Sequence, residues 1–205
     1  MPTRIDALSP SADWDEVRHW RKLMRDDLIQ RRTALSSEIR RTLGESACAR
    51  LVEAVDLRAF AVLGICWPIR GEFDVRGIAK QFLASGGQVA LPVVVQRSAP
   101  VEFWRWHPGM PMQTGVWNIP IPKQRDILTP DAVIVPLVGF DGSGYRLGYG
   151  GGYFDRTLAS AVPRPFAIGL GYADSALQTI YPQPHDIPMN LIVTDQSIYR
   201  GASIY

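Results

Sequence analysis

Between Val135 and Arg156 the chain reads VPLVGFDGSGYRLGYGGGYFDR, and seven of the fourteen residues from Gly139 to Gly152 are glycine, out of 18 in the whole 205-residue chain. A linker can be as rich in glycine, but its flanks would not look like these. Ala132 to Val135 is an apolar, β-branched run of the kind that forms a buried strand. Tyr153 to Ala159 reads as the start of a helix. The glycines therefore occupy a strand-to-helix crossover, where backbone N–H groups and a helix N-terminus surround an anion. Such a loop takes φ > 0 repeatedly and lets a ligand approach the main chain, which is why glycine is required. Arg146 inside the loop and Asp155 just after it add a cation for phosphate and a carboxylate for Mg²⁺.

The remaining elements follow from spacing. Asp13 and Glu16 form a capping box for a helix to about Arg32, with Val17, Trp20, Met24 and Leu28 as its apolar stripe. Arg18, Arg21, Arg25 and Arg32 make a basic stripe, of which Arg18 and Arg32 read as a solvated face. Ser36 caps a second helix, Ser37 to about Val55. Strands are expected at Ala59–Trp67, Gln88–Val95, Val101–Trp106, Pro165–Leu170 and Leu191–Thr194. Helices are expected around Ile78–Leu83 and over Ala173–Ile180, and a loop rich in Pro and Gly runs to Lys123. Strands alternating with helices specify an open, mostly parallel α/β sheet. Residues 1–12 read as a flexible leader, and 13–205 as a single domain.

The segment from Phe140 to Asp155 reads F-D-x-x-G-x-R-L-G-x-G-x-G-Y-F-D. It fits neither the P-loop nor the dinucleotide pattern; it resembles the signature of the 5-formyltetrahydrofolate cyclo-ligase family. The resemblance extends from about Arg21 to Thr194. It implies a three-layer, Rossmann-like α/β/α sandwich and ATP-dependent closure of 5-formyltetrahydrofolate to 5,10-methenyltetrahydrofolate, with MgATP and the folate as small-molecule partners. It also implies residue roles. Arg21 and Arg25 fall on the family's basic N-terminal K-x-x-L-R pattern, with Arg in place of the usual Lys and Met24 in place of Leu. Arg21, Lys22, Arg25, Arg146 and the run Leu147, Gly148, Tyr149, Gly150, Gly151, Gly152, Tyr153 and Phe154 would bind ATP, with Arg146 and Arg25 catalytic. Trp67, Glu72 and Trp117, with Tyr149 to Tyr153, would bind the folate. Asp155 and Asp186, the latter in a His185-Asp186 pair, would hold Mg²⁺. Tyr149, Tyr153 and Phe154 would close over the reacting groups and keep water out. Two departures stand out: Phe154 where tyrosine is frequent, and Asn190 where a carboxylate is often found.

Composition excludes some other classes. A net charge of +2 is too small to argue for nucleic acid or a membrane surface. Cys48 and Cys66 lack metal spacing and read as buried free thiols. With no export signal and no long apolar run, the expectation is a cytoplasmic monomer or weak homodimer. The readings that compete with a cyclo-ligase are a relative that binds nucleotide and folate-like ligands without turnover, and a non-catalytic nucleotide-binding regulatory module.

Overall fold

The computed structural model describes residues 7–9 and 12–201. Of the expected leader, residues 1–6, 10 and 11 lie outside them; within it, the Leu8 N–H donates to the Tyr181 hydroxyl at 2.7 Å.

Helix α1 spans Trp14–Ala34. Its capping box is present: Asp13 accepts from the Glu16 N–H at 2.9 Å, and Glu16 accepts from the Asp13 N–H at 2.8 Å. Helix α2 follows at Ser37–Ala54, capped by Ser36. Strand β1 is Val62–Ile65, shorter than expected at both ends: a 3₁₀ turn at Leu57–Ala59 with Phe60 as its C-cap precedes it, and Cys66 and Trp67 lie beyond it. Then come α3 (Arg76–Ala84), β2 (Gln88–Val93) and β3 (Glu102–Trp106).

The expected loop to Lys123 instead contains a ribbon, β4 (Met112–Thr114) and β5 (Pro120–Pro122). Its prolines are tolerated because each strand of a two-stranded ribbon has one unpaired edge. Trp117 and Asn118 turn its tip with φ of 57° and 58°. After β6 (Ile127–Leu128) and β7 (Ala132–Pro136), the glycine-rich stretch is not a plain loop. It holds a hairpin, β8 (Gly139–Asp141) with β9 (Arg146–Leu147), before α4 (Tyr153–Ser160). The last strands are β10 (Phe166–Gly171), β11 (Ala176–Leu177), β12 (Leu191–Thr194) and an unforeseen β13 (Ile198–Arg200). The helix expected over Ala173–Ile180 is a 3₁₀ turn followed by β11, since Ala176 and Leu177 pair with Phe140 and Asp141. Tertiary pairing overrides local propensity there.

The main sheet has the order β13-β12-β10-β7-β1-β2-β3-β6. The five strands from β12 to β2 are parallel, and the antiparallel strands lie toward the edges. Alternate residues of the parallel strands feed two cores. Leu63, Ile65, Val89, Ile134 and Ile168 pack on α2 and α3, while Val133, Val135, Ala167 and Ile192 pack with Leu158 of α4. Helices on both faces make the three layers. Each fully buried leucine or isoleucine contributes about 1.5–3 kcal/mol.

A third apolar cluster holds α1 against the small sheet of β8, β9 and β11: Trp20, Met24 and Leu28 meet Val138, Leu147 and Ile180. Gly139 permits that approach, because a Cβ there would lie 2.7 Å from Leu28 Cδ1. From β1 the chain proceeds to β2 on one side and later returns to place β7 on the other. The loops leaving β1 and β7 therefore part at a topological switch point, where open α/β sheets bind ligands. Among the described residues, no helix is long and apolar enough to cross a membrane.

Candidate active site

A small cavity of about 10 Å³ lies at that switch point, lined by Cys66, Glu72, Phe73, Ile134, Pro136 and Leu170. The β1 loop supplies Cys66, Trp67 and Glu72 on one side. The chain leaving β7 supplies the hairpin and the glycine loop on the other. From α1, Arg25 and Arg32 reach these loops, while Arg21 reaches the segment after β11.

On the glycine-loop side, two buried arginines each meet a carboxylate. Arg21 Nη2 lies 2.6 Å from Asp186 Oδ2, and Arg21 also donates to the Ile180 and Tyr181 carbonyls. Arg146, on β9 rather than in open loop, lies 3.1 Å from Asp155 Oδ1 and donates to the Ile187 carbonyl at 2.8 Å. Burial weakens the Arg146 guanidinium's hold on its proton, against the pull of both Asp155 and Asp186; an arginine stays charged regardless. The Ile187 N–H donates to Asp155 at 3.1 Å, so the segment carrying Asp186 is tied to Asp155. Burial alone would raise the Asp186 carboxyl, but Arg21 and the Gln183 N–H outweigh it and hold it below the usual range.

Each of the two carboxylates is engaged by an arginine and by a main-chain N–H, Asp155 by that of Ile187 and Asp186 by that of Gln183. The described residues contain no group of three or more His, Cys, Asp or Glu able to hold a metal by themselves.

Arg25 donates to the Gly148 carbonyl at 2.7 Å. Its pKa is lowered by burial and by the Arg21 guanidinium, against Asp186 and Asp26. Two cations thus stand close enough to repel each other beside the glycine loop. Gly144, Gly150 and Gly152 take positive φ. Gly152 starts α4 at φ 64°, where a side chain would be strained and its Cβ would lie 2.8 Å from the Arg156 guanidinium. Among the described residues, the backbone N–H groups of Tyr149, Gly150, Gly151 and Gly152 have no protein acceptor. They are free to donate to an anion.

Several expected residues lie elsewhere or act differently. Lys22 is exposed and paired with Asp26 at 2.9 Å, so the structure does not bring it to the cluster. Leu147 is buried in the third core and offers a ligand only its main chain. Phe154 packs on the second core and does not cover the loop. Tyr153 stands beside the Trp117 ring at 5.5 Å, and Trp117 itself is 64% exposed at the ribbon tip. Trp67 sets its ring edge-on to Trp106 and beneath the Arg76 guanidinium at 4.8 Å. Asn190 accepts from the Ala167 N–H at 2.8 Å and belongs to the sheet. His185 meets Trp14 edge-on. Cys48 and Cys66 are free thiols, half-buried.

Glu72 differs most from expectation. Its carboxylate accepts from the Tyr149 hydroxyl at 2.7 Å and from the Ile69 N–H at 2.9 Å, and its side chain is 4% exposed. Burial raises its pKa, against Tyr149, Ile69 and Arg32. Arg32, read from the sequence as solvated, is in fact buried beside it. Arg32 donates to the Arg70 and Leu137 carbonyls and to the Tyr149 hydroxyl, and lies 3.7 Å from Glu72. The clue was its register: Arg32 follows Trp20, Met24 and Leu28 at steps of four, and so continues the apolar stripe.

The model of the 5-formyltetrahydrofolate cyclo-ligase family matches residues 17–195. The 5-formyltetrahydrofolate cyclo-ligase of Escherichia coli K12 is 30% identical over 178 residues, 83% of this chain and 98% of that protein. That of Mycolicibacterium smegmatis is 30% identical over 62% of this chain and 70% of that protein. The NMR structure of Aquifex aeolicus 5,10-methenyltetrahydrofolate synthetase superposes with a TM-score of 0.77 at 26% identity, covering 89% of this chain and 93% of that one. With the family model matched over residues 17–195 and the E. coli enzyme aligned along nearly its whole length, the chain belongs to the 5-formyltetrahydrofolate cyclo-ligase family.

Proposed function

We propose that this protein is an ATP-dependent 5-formyltetrahydrofolate cyclo-ligase, forming 5,10-methenyltetrahydrofolate, ADP and phosphate. The observation that carries the reading is the row of unspent N–H groups from Tyr149 to Gly152, with Arg25 on the adjoining Gly148 carbonyl and Arg21 and Arg146 each beside a carboxylate. A triphosphate held there would lie on the loop leaving β7, the strand paired with the β1 strand that leads to Trp67 and Glu72.

A formamide is a poor electrophile, and its oxygen is a worse leaving group. Transfer of the γ-phosphoryl group to the formyl oxygen converts that oxygen into part of a phosphate. N10 attacks the activated carbon, the C–O bond breaks, phosphate leaves and N10 loses its proton as the five-membered ring closes. The protein needs no covalent nucleophile; it aligns the two substrates and neutralises charge on the transferring group. Arg21, Arg25 and Arg146 provide the neutralisation, and the loop amides hold the phosphates. Mg²⁺, held by Asp155 and Asp186, would add charge compensation across the phosphate oxygens. Trp67 and the exposed Trp117 offer flat apolar faces to the pterin. Glu72 can accept from the pterin's amino edge once its bond to Tyr149 opens.

The test mixes the protein with 5-formyltetrahydrofolate and MgATP and follows the methenyl chromophore, with no-ATP and Asp155→Ala controls. Product that requires ATP and is lost in Asp155→Ala is expected. ADP release without methenyl product would overturn the reading in favour of a relative lacking cyclo-ligase turnover.

A further inference from the structure

We infer that Arg32 is a positioning residue that sets the spacing between the folate-side and nucleotide-side loops. The inference rests on the cyclo-ligase reading.

The four partners of Arg32 fall on just the two chain segments that leave the neighbouring strands β1 and β7. From the β1 loop come the Arg70 carbonyl at 2.9 Å and the Glu72 carboxylate at 3.7 Å. From the β7 side come the Leu137 carbonyl at 2.8 Å and the Tyr149 hydroxyl. One planar fork therefore bridges the two segments, and its geometry fixes how far apart they stand. The turn it grips is itself constrained: Arg70 has φ 46°, a left-handed conformation that strains a residue with a side chain. Gly71 follows at φ 78°, with its carbonyl accepting from the Tyr172 hydroxyl at 2.7 Å at the end of β10.

Stability alone does not account for such a residue. A buried guanidinium whose nearest carboxylate oxygen is 3.7 Å away is a costly filler, and a well-packed apolar side chain commonly does as well or better. What the fork provides is a fixed relation between Glu72 and the start of the glycine loop. Tyr149 extends it, because its hydroxyl receives from Arg32 and donates to Glu72. The formyl oxygen and the γ-phosphorus must be held about 3–3.5 Å apart in line, and a misplacement of about 1 Å costs about a hundredfold in rate.

The test is steady-state kinetics on Arg32→Lys, which keeps the charge but loses the fork, with folding checked by circular dichroism and wild-type methenyl formation measured in parallel. We expect kcat to fall about a hundredfold while KM for each substrate moves less than about threefold. A folded Arg32→Lys enzyme with kcat within about threefold of wild type overturns the inference, and so does a loss confined to KM. Should Arg32→Lys fail to fold, Tyr149→Phe decides: a fall in kcat of about tenfold at unchanged KM supports the role, and unchanged kcat overturns it. An inactive wild type brings down the cyclo-ligase reading and this inference with it; an active wild type with an indifferent Arg32→Lys brings down the inference alone.

Discussion

Arg21 and Arg32 stand three helical turns apart on α1, and each is 4% exposed, yet their surroundings are opposites. Arg21 holds a carboxylate at 2.6 Å, and that carboxylate, Asp186, keeps a lowered pKa despite burial. Arg32 has its nearest carboxylate oxygen at 3.7 Å and spends its N–H groups mainly on carbonyls and a hydroxyl; Glu72 beside it has a raised pKa. The difference separates two uses of a buried cation. A tight ion pair can trade its anion for a ligand's phosphate and leave the carboxylate to other work. A guanidinium tied to main-chain carbonyls has nothing to trade, and acts as a brace.

The largest effect should come from the exchangeable end. Arg146→Ala, which removes the other tight pair, should lower kcat by about a thousandfold in protein that is still folded by circular dichroism. Wild-type turnover in that variant would break the distinction, since a tradeable cation would then have no catalytic use. Next, double-mutant cycles by urea denaturation should give a coupling of about 2–3 kcal/mol for Arg21 with Asp186 and less than about 1 kcal/mol for Arg32 with Glu72. Equal couplings would erase the contrast.

A smaller effect concerns pH. Burial raises Glu72 above its ordinary value of 4.5, so the folded protein holds that proton more tightly than the unfolded chain does. Its contribution to stability is full below about 4.5 and is lost as pH rises through the raised value. The melting temperature of wild type should therefore decline relative to Glu72→Gln between about pH 4.5 and neutrality; parallel curves would mean that Glu72 is not destabilised by burial. The smallest effect is expected of Lys22→Ala. Its partner Asp26 is exposed, so stability should stay within about 0.5 kcal/mol and KM for ATP within about twofold. A tenfold rise in KM would place a third α1 cation at the phosphates.

Much of this was legible from the chain. The parallel strands are short apolar runs, the first helix announces itself with a capping box, and the glycine stretch lies between strand and helix as its flanks require. What was not legible depends on partners distant in sequence. β8 and β9 pair inside a stretch whose glycines argue against strands, and β11 exists only because Phe140 and Asp141 lie beside it. Phe154 stands in the first turn of α4, next to the glycine loop, yet packs on the second core, and helical phase after Gly152 decides that. Arg32 was hidden by its charge: reading a cation as solvent-facing outweighed its place in the apolar stripe. A charged residue in phase with buried neighbours has to be assigned partners before it is assigned to solvent.

Every arginine and carboxylate of the cluster reaches segments that depart from one rim of the sheet. At the opposite rim the chain reverses in solvent, around Gly86 and again from Val162 to Arg164. Doubling a loop costs only about 0.6 kcal/mol in closure entropy. Those reversals are accordingly the places to graft an affinity tag, a fluorophore or a second domain onto this protein while leaving its chemistry undisturbed.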